Sequence, residues 1–269
     1  MRLVSFRAPD GSAQAGVVSG DRVTSLGVGM LEAIRSIPEP RGPSFPLSET
    51  RLLAPIPSPP KFICVGLNYR DHAAEIGLEI PKVPTIFSKF SSAVIGPGEP
   101  IVLPRVSQRP DYEAELAFVI GRGGRHVPAA RAMDHVFGYT IANDVSARDY
   151  QMATSQWLMG KTFDSFAPLG PWIVTADEIP DPHALAISLE IGGEKLQNSN
   201  TRELIFRIPE LVEFIAGVVT LEPGDVVITG TPSGVGFMRK PPRYLRPGDE
   251  VSIHIEGIGT LRNPVIAET

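Results

Sequence analysis

Residues 111–120 (DYEAELAFVI) place two glutamates at the start of an apolar run. If this segment forms a strand, Glu113 and Glu115 project from the same face, because side chains alternate between the two faces of a strand. Two carboxylates about 4 Å apart repel each other by roughly 4 kcal/mol at an effective dielectric constant of about 20, and a bound cation would remove that repulsion. The segment therefore offers a pair of metal ligands. A solvated strand face with two unrelated glutamates is the alternative interpretation.

A third carboxylate ends the apolar segment 138–144 (GYTIAND). Asp144, at the end of a buried strand, can provide one more oxygen ligand. Three carboxylates without paired histidines or cysteines indicate a hard divalent ion, Mg²⁺ or Mn²⁺, in a site that keeps open positions for water and substrate. Zinc is disfavoured, because no two histidines lie close together in the sequence.

His72 and Glu75 follow the apolar segment 62–66 and are three residues apart. If a helix begins near Asn68, the two side chains share one helical face. A carboxylate beside an imidazole orients the ring and stabilises its protonated form, which suits a general base that acts on water. A surface pair without a catalytic role is the alternative.

Two further segments offer groups to an anionic substrate. Lys161 follows Gly160 in an apolar neighbourhood, and its ammonium can neutralise an enolate or a carboxylate. Residues 229–236 (TGTPSGVG) offer backbone N–H groups and hydroxyls to a carboxylate. A solvated lysine and a structural turn are the respective alternatives.

Strand-like runs dominate the elements that must position these residues. Eight prolines crowd residues 36–60 and disfavour long helices and central strands there. We therefore predict a small β-rich N-terminal module over residues 1–55 and a catalytic domain over residues 56–269. Helices are predicted over residues 69–77 and 209–217. Strands are predicted over residues 2–6, 15–19, 22–26, 62–66, 85–88, 112–120, 136–144, 172–175, 186–191, 226–229 and 250–255.

The composition is that of a globular protein, with 42% hydrophobic and 20% charged residues. The formal net charge of −5 disfavours nucleic acid as a partner, because phosphate binding needs a basic surface. The most apolar stretch, residues 211–221, is too short to span a membrane and contains Glu213, so no membrane partner is expected. A single cysteine, Cys64, favours a reducing compartment. The N-terminus shows no signal-peptide core, and a cytoplasmic location is predicted.

Five motifs in this order resemble the fumarylacetoacetate hydrolase family, over residues 61 to about 265. They are residues 66–69 (GLNY), 111–116 (DYEAEL), 143–149 (NDVSARD), 160–164 (GKTFD) and 229–236 (TGTPSGVG). The resemblance implies an α+β, strand-rich fold, with a mixed β-roll of the fumarylacetoacetase C-terminal type behind the small N-terminal module. It also implies a homodimer.

The same resemblance implies one divalent ion, Mg²⁺ or Mn²⁺, per subunit, and a His–Glu dyad that activates water in the hydrolytic members. It implies three groups of site residues. These are the metal ligands Glu113, Glu115 and Asp144, the catalytic residues His72, Glu75 and Lys161, and the substrate-binding residues Arg148, Gln151 and Thr231.

Together these features predict a metal-dependent hydrolase that acts on a small 2-oxo acid. It would cleave the C–C bond of acylpyruvate-type 1,3-dicarbonyl (2,4-dioxo) acids, such as fumarylpyruvate or acetylpyruvate, and release pyruvate. The alternatives on the same site are an oxaloacetate-type decarboxylase and a 2-hydroxydienedioate isomerase. The presence of both His72 and Glu75 favours hydrolysis, because a pure isomerase does not need an activated hydroxide. A binding protein that has lost catalysis is the alternative from another class.

Overall fold

Strands far outnumber helices in the computed structural model, which describes residues 1–269. The strands are β1 (Arg2–Arg7), β2 (Ala13–Ser19), β3 (Arg22–Ser25), β4 (Ser44–Pro46), β5 (Leu52–Leu53), β6 (Phe62–Gly66), β7 (Thr85–Ser88), β8 (Val94–Ile95), β9 (Ile101–Leu103), β10 (Pro110–Asp111), β11 (Ala114–Ile120), β12 (Val136–Asn143), β13 (Ser146–Ala147), β14 (Ala167–Thr175), β15 (Ala186–Ile191), β16 (Glu194–Asn200), β17 (Val226–Ile228), β18 (Glu250–Ile255) and β19 (Gly259–Ala267).

The α-helices are short. They are α1 (Met30–Arg35), α2 (Arg70–Ile76), α3 (Arg148–Gln151), α4 (Leu158–Lys161) and α5 (Ile208–Val218). None of them has the length and apolar character needed to cross a membrane. The chain is therefore an α+β, strand-rich protein, as predicted.

Two mixed sheets contain all of these strands except β10 and β13, which pair with each other. The larger one runs in the order β4-β3-β2-β1-β14-β12-β11-β17-β6-β7, and the smaller one runs in the order β16-β15-β18-β19-β9. Neighbours are antiparallel except at β17–β6, β14–β8 and β19–β9. Strand β1 pairs with β14, so the N-terminal strands extend the sheet of the body. The division of domains at residue 55 stays a prediction.

Strand β11 lies at the centre of the large sheet, and both of its faces are buried. Leu116, Phe118 and Ile120 pack into the core shared with α5 and the five-stranded sheet. Ala117 and Val119 pack on the other face, into a core that includes residues of α1. A strand covered on both faces reads as a nearly continuous apolar run, and this is the pattern of residues 114–120.

Local signals explain the ends of the two longer helices. Helix α2 ends at Gly77, whose φ of 70° is left-handed and is readily adopted by glycine. Helix α5 has Pro209 in its first turn, and Glu210 accepts a hydrogen bond from the Arg207 N–H at 2.7 Å. Both helices lie where the sequence predicts them, within one residue at each end.

The structure corrects several element boundaries. Residues 1–55 contain strands β1 to β5, as the β-rich prediction expects, but helix α1 within them was not predicted, and neither were strands such as β9, β16 and β19. Strand β14 begins at Ala167, five residues before the predicted start at residue 172. Its prolines and Gly170 read as strand breakers, but a register shift between Tyr139 and Ile141 of β12 accommodates them.

Candidate active site

Three carboxylates meet at one edge of the large sheet. Glu113 directly precedes β11, Glu115 is its second residue, and Asp144 directly follows β12. The antiparallel register pairs Ala114 with Asn143, which places the start of β11 beside the end of β12. The three carboxylates are buried, and their ligand atoms all lie within 4.8 Å of one another. The fold thus brings together the three side chains that the sequence predicted as metal ligands.

Three buried cations surround these carboxylates. Lys161 Nζ lies 2.7 Å from both Glu113 Oε2 and Asp144 Oδ2. Arg148 Nη2 lies 2.7 Å from Glu113 Oε1. Lys89 Nζ donates to Asp144 Oδ1 at 2.5 Å, and its side chain is fully buried. The cluster is therefore a network of alternating charges in the protein interior, where unpaired charges are strongly disfavoured.

The two glutamates differ in their electrostatic environment. Burial raises the pKa of Glu113, but the Lys161 ammonium and the Arg148 guanidinium together outweigh burial and hold that pKa well below its usual range. Burial and the neighbouring carboxylates Asp144 and Glu113 raise the pKa of Glu115 well above its usual range. The one hydrogen bond to the Glu115 side chain comes from the Gly230 N–H, at 2.6 Å. Glu115 is therefore the carboxylate whose charge the protein compensates least.

A divalent cation fits this donor set. Three carboxylates are the hard oxygen ligands that Mg²⁺ and Mn²⁺ prefer. A cation at these oxygens would also favour the ionised form of Glu115, which its protein neighbours disfavour. Glu113, Glu115 and Asp144 are thus the residues that would hold the ion.

The His–Glu dyad lies on helix α2. His72 Nδ1 is 2.9 Å from Glu75 Oε2, across one turn of the helix. The other oxygen of Glu75, Oε1, accepts a hydrogen bond from the Gly234 N–H at 2.8 Å. Because Glu75 is held from two sides and engages Nδ1, the ring of His72 is oriented and Nε2 is left for proton transfer.

Arg148 is fixed by neighbours on three sides. Its Nε donates to Asp111 Oδ2 at 2.9 Å, its Nη1 donates to Gln151 Oε1 at 2.9 Å, and its guanidinium carbon lies 4.5 Å from the centre of the Phe237 ring. Asp111 is fully buried and also accepts hydrogen bonds from the Gly236 and Phe237 N–H groups, at 2.8 and 3.1 Å. Asp111 therefore ties the guanidinium of Arg148 to the loop that carries Phe237.

The hydroxyl of Thr231 is already engaged by the protein. Its Oγ1 donates to Ala114 O at 3.0 Å and accepts from Gln197 Nε2 at 2.9 Å. The hydroxyl proton is therefore directed at the backbone between Glu113 and Glu115, and the hydroxyl is left with one lone pair for another partner.

One cavity of about 280 Å³ unites the site. Eight of the nine predicted site residues line it, and Glu75 stands behind His72. The indole of Trp157 packs directly against Gly66 and lines the cavity. A larger residue would not fit there, because a Cβ at Gly66 would lie 2.3 Å from Trp157 Cζ3. Much of the remaining lining is apolar, and includes Ile76, Leu78, Phe87, Met152 and Trp157.

Sequence reasoning missed three buried polar residues at the site, Lys89, Asp111 and Gln197. Asp111 had a usable signal, because it stands two residues before Glu113 in the same motif. Lys89 is the only charged residue between positions 83 and 98, which is a weaker signal. Gln197 had none, because the hydrogen-bond partners of its side chain lie 34 or more residues away in the chain.

Comparison with known proteins agrees with the predicted resemblance. A model of the fumarylacetoacetate (FAA) hydrolase C-terminal family matches residues 61–266, and a model described as Rv2993c-like, N-terminal matches residues 1–55. The chain is 45% identical over 288 residues to the Bos taurus protein named oxaloacetate tautomerase FAHD2A, mitochondrial, an alignment that covers 99% of this chain and 92% of that one. It is 52% identical over 221 residues to the Xenopus laevis oxaloacetate tautomerase fahd2, mitochondrial, with 81% and 69% covered.

Two solved structures with the same fold come from mycobacteria. One is described as 5-carboxymethyl-2-hydroxymuconate delta-isomerase from Mycobacterium smegmatis, with a TM-score of 0.87 and 44% identity over 100% of both chains. Another is described as 2-hydroxyhepta-2,4-diene-1,7-dioate isomerase from Mycobacterium marinum, with a TM-score of 0.87 and 41% identity, over 100% of this chain and 99% of that one. The names of these relatives describe rearrangements of small unsaturated or 2-oxo acids.

Proposed function

The chain belongs to the fumarylacetoacetate hydrolase family of enzymes, and on that premise we propose that it is a divalent-cation-dependent tautomerase that interconverts the keto and enol forms of oxaloacetate-type 2-oxo acids. The relatives named oxaloacetate tautomerase share 45 to 52% of their aligned residues with it. The proposal departs from the C–C hydrolysis that the sequence favours.

One observation carries the proposal. The cavity that holds Glu113, Glu115 and Asp144 also holds His72, whose Nδ1 is engaged by Glu75. Keto–enol conversion needs a group that moves a proton at carbon and a positive environment for the oxygen that gains charge. One cavity of about 280 Å³ meets both requirements, because His72 lines it together with the cationic side chains of Lys161 and Arg148.

The bound cation would supply a Lewis acid that polarises the 2-oxo group of the substrate. The protein's own cations supply the rest of the positive environment. Burial lowers the pKa of Lys161, but the carboxylates of Asp144 and Glu113 outweigh burial and raise that pKa. The side chain is therefore an ammonium that can donate a hydrogen bond to a substrate oxygen. Arg148, held by Asp111 and Gln151, presents a guanidinium that suits a carboxylate.

His72 moves the proton. Its Nε2 takes a proton from C3, the C–H electron pair forms the C2=C3 double bond, and the carbonyl π electrons move to the C2 oxygen. The same nitrogen then returns the proton to that oxygen, which gives the enol, and the reverse sequence gives the keto acid. Glu75 stabilises the imidazolium that forms between the two transfers.

Hydrolysis of an acylpyruvate is the second candidate, and the same dyad geometry is compatible with it. Glu75 is held by both His72 and the Gly234 N–H, so the imidazole is oriented as it would be for the deprotonation of a water molecule. In that reaction the activated water attacks the 4-carbonyl, the C3–C4 bond breaks, and pyruvate leaves as its enol.

The decisive experiment separates these reactions by their products. The enol of oxaloacetate is followed by its ultraviolet absorbance, and pyruvate is measured separately by a coupled dehydrogenase, with Mg²⁺, Mn²⁺ or EDTA present. Acetylpyruvate and fumarylpyruvate are tested in parallel. Buffer with the same cation but without enzyme gives the spontaneous rates of tautomerisation and decarboxylation. His72→Gln removes the proposed proton carrier, and His254→Gln is its matched control, because His254 lies on β18 with its ring exposed and outside the cavity.

Faster loss of the enol without release of pyruvate, dependent on the cation and abolished by EDTA, supports the tautomerase. Pyruvate from acetylpyruvate or fumarylpyruvate supports the hydrolase, and pyruvate from oxaloacetate supports a decarboxylase. An enol decay equal to that of buffer alone would refute the tautomerase.

A further inference from the structure

Gln197 is a buried amide that reaches from one sheet into the other. It lies on β16 at the edge of the five-stranded sheet and is 1% exposed. Its Oε1 accepts a hydrogen bond from the Ala114 N–H at 2.9 Å. Its Nε2 donates to Thr231 Oγ1 and to Pro232 O, both at 2.9 Å. Both protons of the amide group are therefore used, and its oxygen is engaged as well.

The first partner of Gln197 lies between two proposed metal ligands. Ala114 separates Glu113 from Glu115, so the backbone that sets the spacing of the two carboxylates is fixed by the Gln197 oxygen. Thr231 reinforces this arrangement, because its hydroxyl donates to Ala114 O. The amide and the hydroxyl together hold both polar groups of the Ala114 backbone.

The second pair of partners belongs to the loop that supports the dyad. Thr231 and Pro232 are followed by Gly234, whose N–H donates to Glu75 Oε1 at 2.8 Å. The loop lies against β16 at this point, because a Cβ on Gly234 would approach Leu196 O to 2.1 Å. The φ of Gly234 is +99°, a conformation that suits glycine. The position of Glu75 thus depends on a loop that Gln197 fastens.

We propose that Gln197 is a positioning residue that links the carboxylate cluster to the His–Glu dyad. It holds the Ala114 backbone on one side and the 231–234 loop on the other, so the two halves of the site keep their relative placement. This inference rests on the proposed function only for its catalytic consequence. The structural link itself is independent of which reaction the site performs.

The test compares Gln197→Met, which keeps the approximate size and removes every side-chain hydrogen bond, with Gln197→Glu. The glutamate keeps an acceptor for Ala114 and loses the amide donors to Thr231 and Pro232. Asn263→Leu is the matched control, because Asn263 is also a buried amide that donates to two backbone carbonyls, Gly96 O and Glu99 O, and it does not line the cavity. Each variant is assayed for Mn²⁺ affinity by calorimetry, for kcat and KM, for thermal stability and for amide hydrogen exchange.

In Gln197→Met we expect Mn²⁺ affinity to fall by about 10- to 100-fold, as for other residues that orient metal ligands, and kcat to fall with it. Hydrogen exchange should accelerate at residues 113–115 and 230–235. In Gln197→Glu the acceleration should be confined to residues 230–235. Asn263→Leu should lose stability while its Mn²⁺ affinity and kcat stay within about twofold of wild type.

Wild-type Mn²⁺ affinity, kcat and exchange in a folded Gln197→Met protein would overturn the proposal. So would a loss of stability equal to that of Asn263→Leu with no change in the other three measurements. Failure of the wild type to bind Mn²⁺ or to turn over any substrate would refute the proposed function instead. Hydrogen exchange would still decide the role of Gln197.

Discussion

Replacing Glu115 by glutamine is expected to stabilise the cation-free protein and to abolish its stabilisation by Mn²⁺. Burial, Asp144 and Glu113 raise the pKa of Glu115, which means that its ionised form is disfavoured in the absence of a cation. Glutamine has nearly the shape of the neutral acid, and its oxygen can still accept the hydrogen bond from the Gly230 N–H. The substitution removes the negative charge that binds a divalent cation.

The size of the effect follows from the distances. The ligand atoms lie within 4.8 Å of one another, and Coulomb's law at that separation and an effective dielectric constant of about 20 gives about 3.5 kcal/mol of repulsion per pair of carboxylates. Lys161, 2.7 Å from both Glu113 and Asp144, offsets much of it. We expect a net gain in the free energy of unfolding of about 1 to 2 kcal/mol, which raises Tm by about 2 to 4 °C.

Thermal unfolding is measured in EDTA and in Mn²⁺ for the wild type, Glu115→Gln and the control Glu250→Gln, an exposed strand residue outside the cavity. At a cation concentration of about 100 times Kd, the wild type should gain about 2.7 kcal/mol. The stabilities of the wild type and Glu115→Gln should therefore change order between the two conditions, and Glu250→Gln should follow the wild type in both. A Glu115→Gln protein that binds Mn²⁺ normally, or that is less stable than wild type in EDTA, would refute the reasoning.

Three further predictions concern the dyad, the cavity lining and helix α5. His72→Gln should lower kcat by about 10²- to 10⁴-fold and leave Mn²⁺ affinity unchanged by calorimetry; a retained kcat would exclude His72 as the proton carrier. Gly66→Ala should raise KM, because its Cβ would lie 2.3 Å from Trp157 Cζ3 and force the indole to move; an unchanged KM and Tm would contradict this packing. Burial lowers the pKa of His183, whose Nε2 accepts from the Ile208 N–H at 3.2 Å. The neutral imidazole of His183 therefore stabilises the fold above the unfolded pKa of about 6.5, and this stabilisation is lost as the pH falls through the folded pKa. His183→Gln should lose less stability than wild type between about pH 7.5 and pH 5.5 in urea unfolding, and an equal loss would contradict it.

The sequence predicted best the elements that are determined locally. Strands β6, β7, β15 and β18 have the predicted ends, because each is a short apolar or alternating run between turn residues. The grouping of Glu113, Glu115 and Asp144 was also predictable, since the first two share a strand face and the third ends an apolar run.

The elements that were missed depend on distant partners. Strand β16 (EKLQNSN) is polar, and its conformation follows from pairing with β15 rather than from its own pattern. Lys89 and Gln197 are buried by segments far away in the chain, so neither a spacing nor a period distinguishes them from solvated residues. The sequence pattern also does not determine which reaction the site performs, because related sites on one fold support several chemistries.

The topology of the large sheet explains why distant segments form one site. The four neighbouring strands β12, β11, β17 and β6 are arranged so that β11 runs antiparallel to both of its neighbours and β6 runs parallel to β17. The start of β11 therefore lies at the same edge as the ends of the other three, and this edge carries Glu113, Asp144, the 229–236 loop and the segment that leads to His72. The carboxylates sit at the ends of buried strands, which hold them rigidly, whereas the dyad is placed by a helix and a loop. Changes in the adjoining apolar wall can alter the substrate without disturbing the strands that hold the carboxylates. Changes in the loop also reach the carboxylates, because the Gly230 N–H donates to Glu115 and the Thr231 hydroxyl donates to Ala114 O.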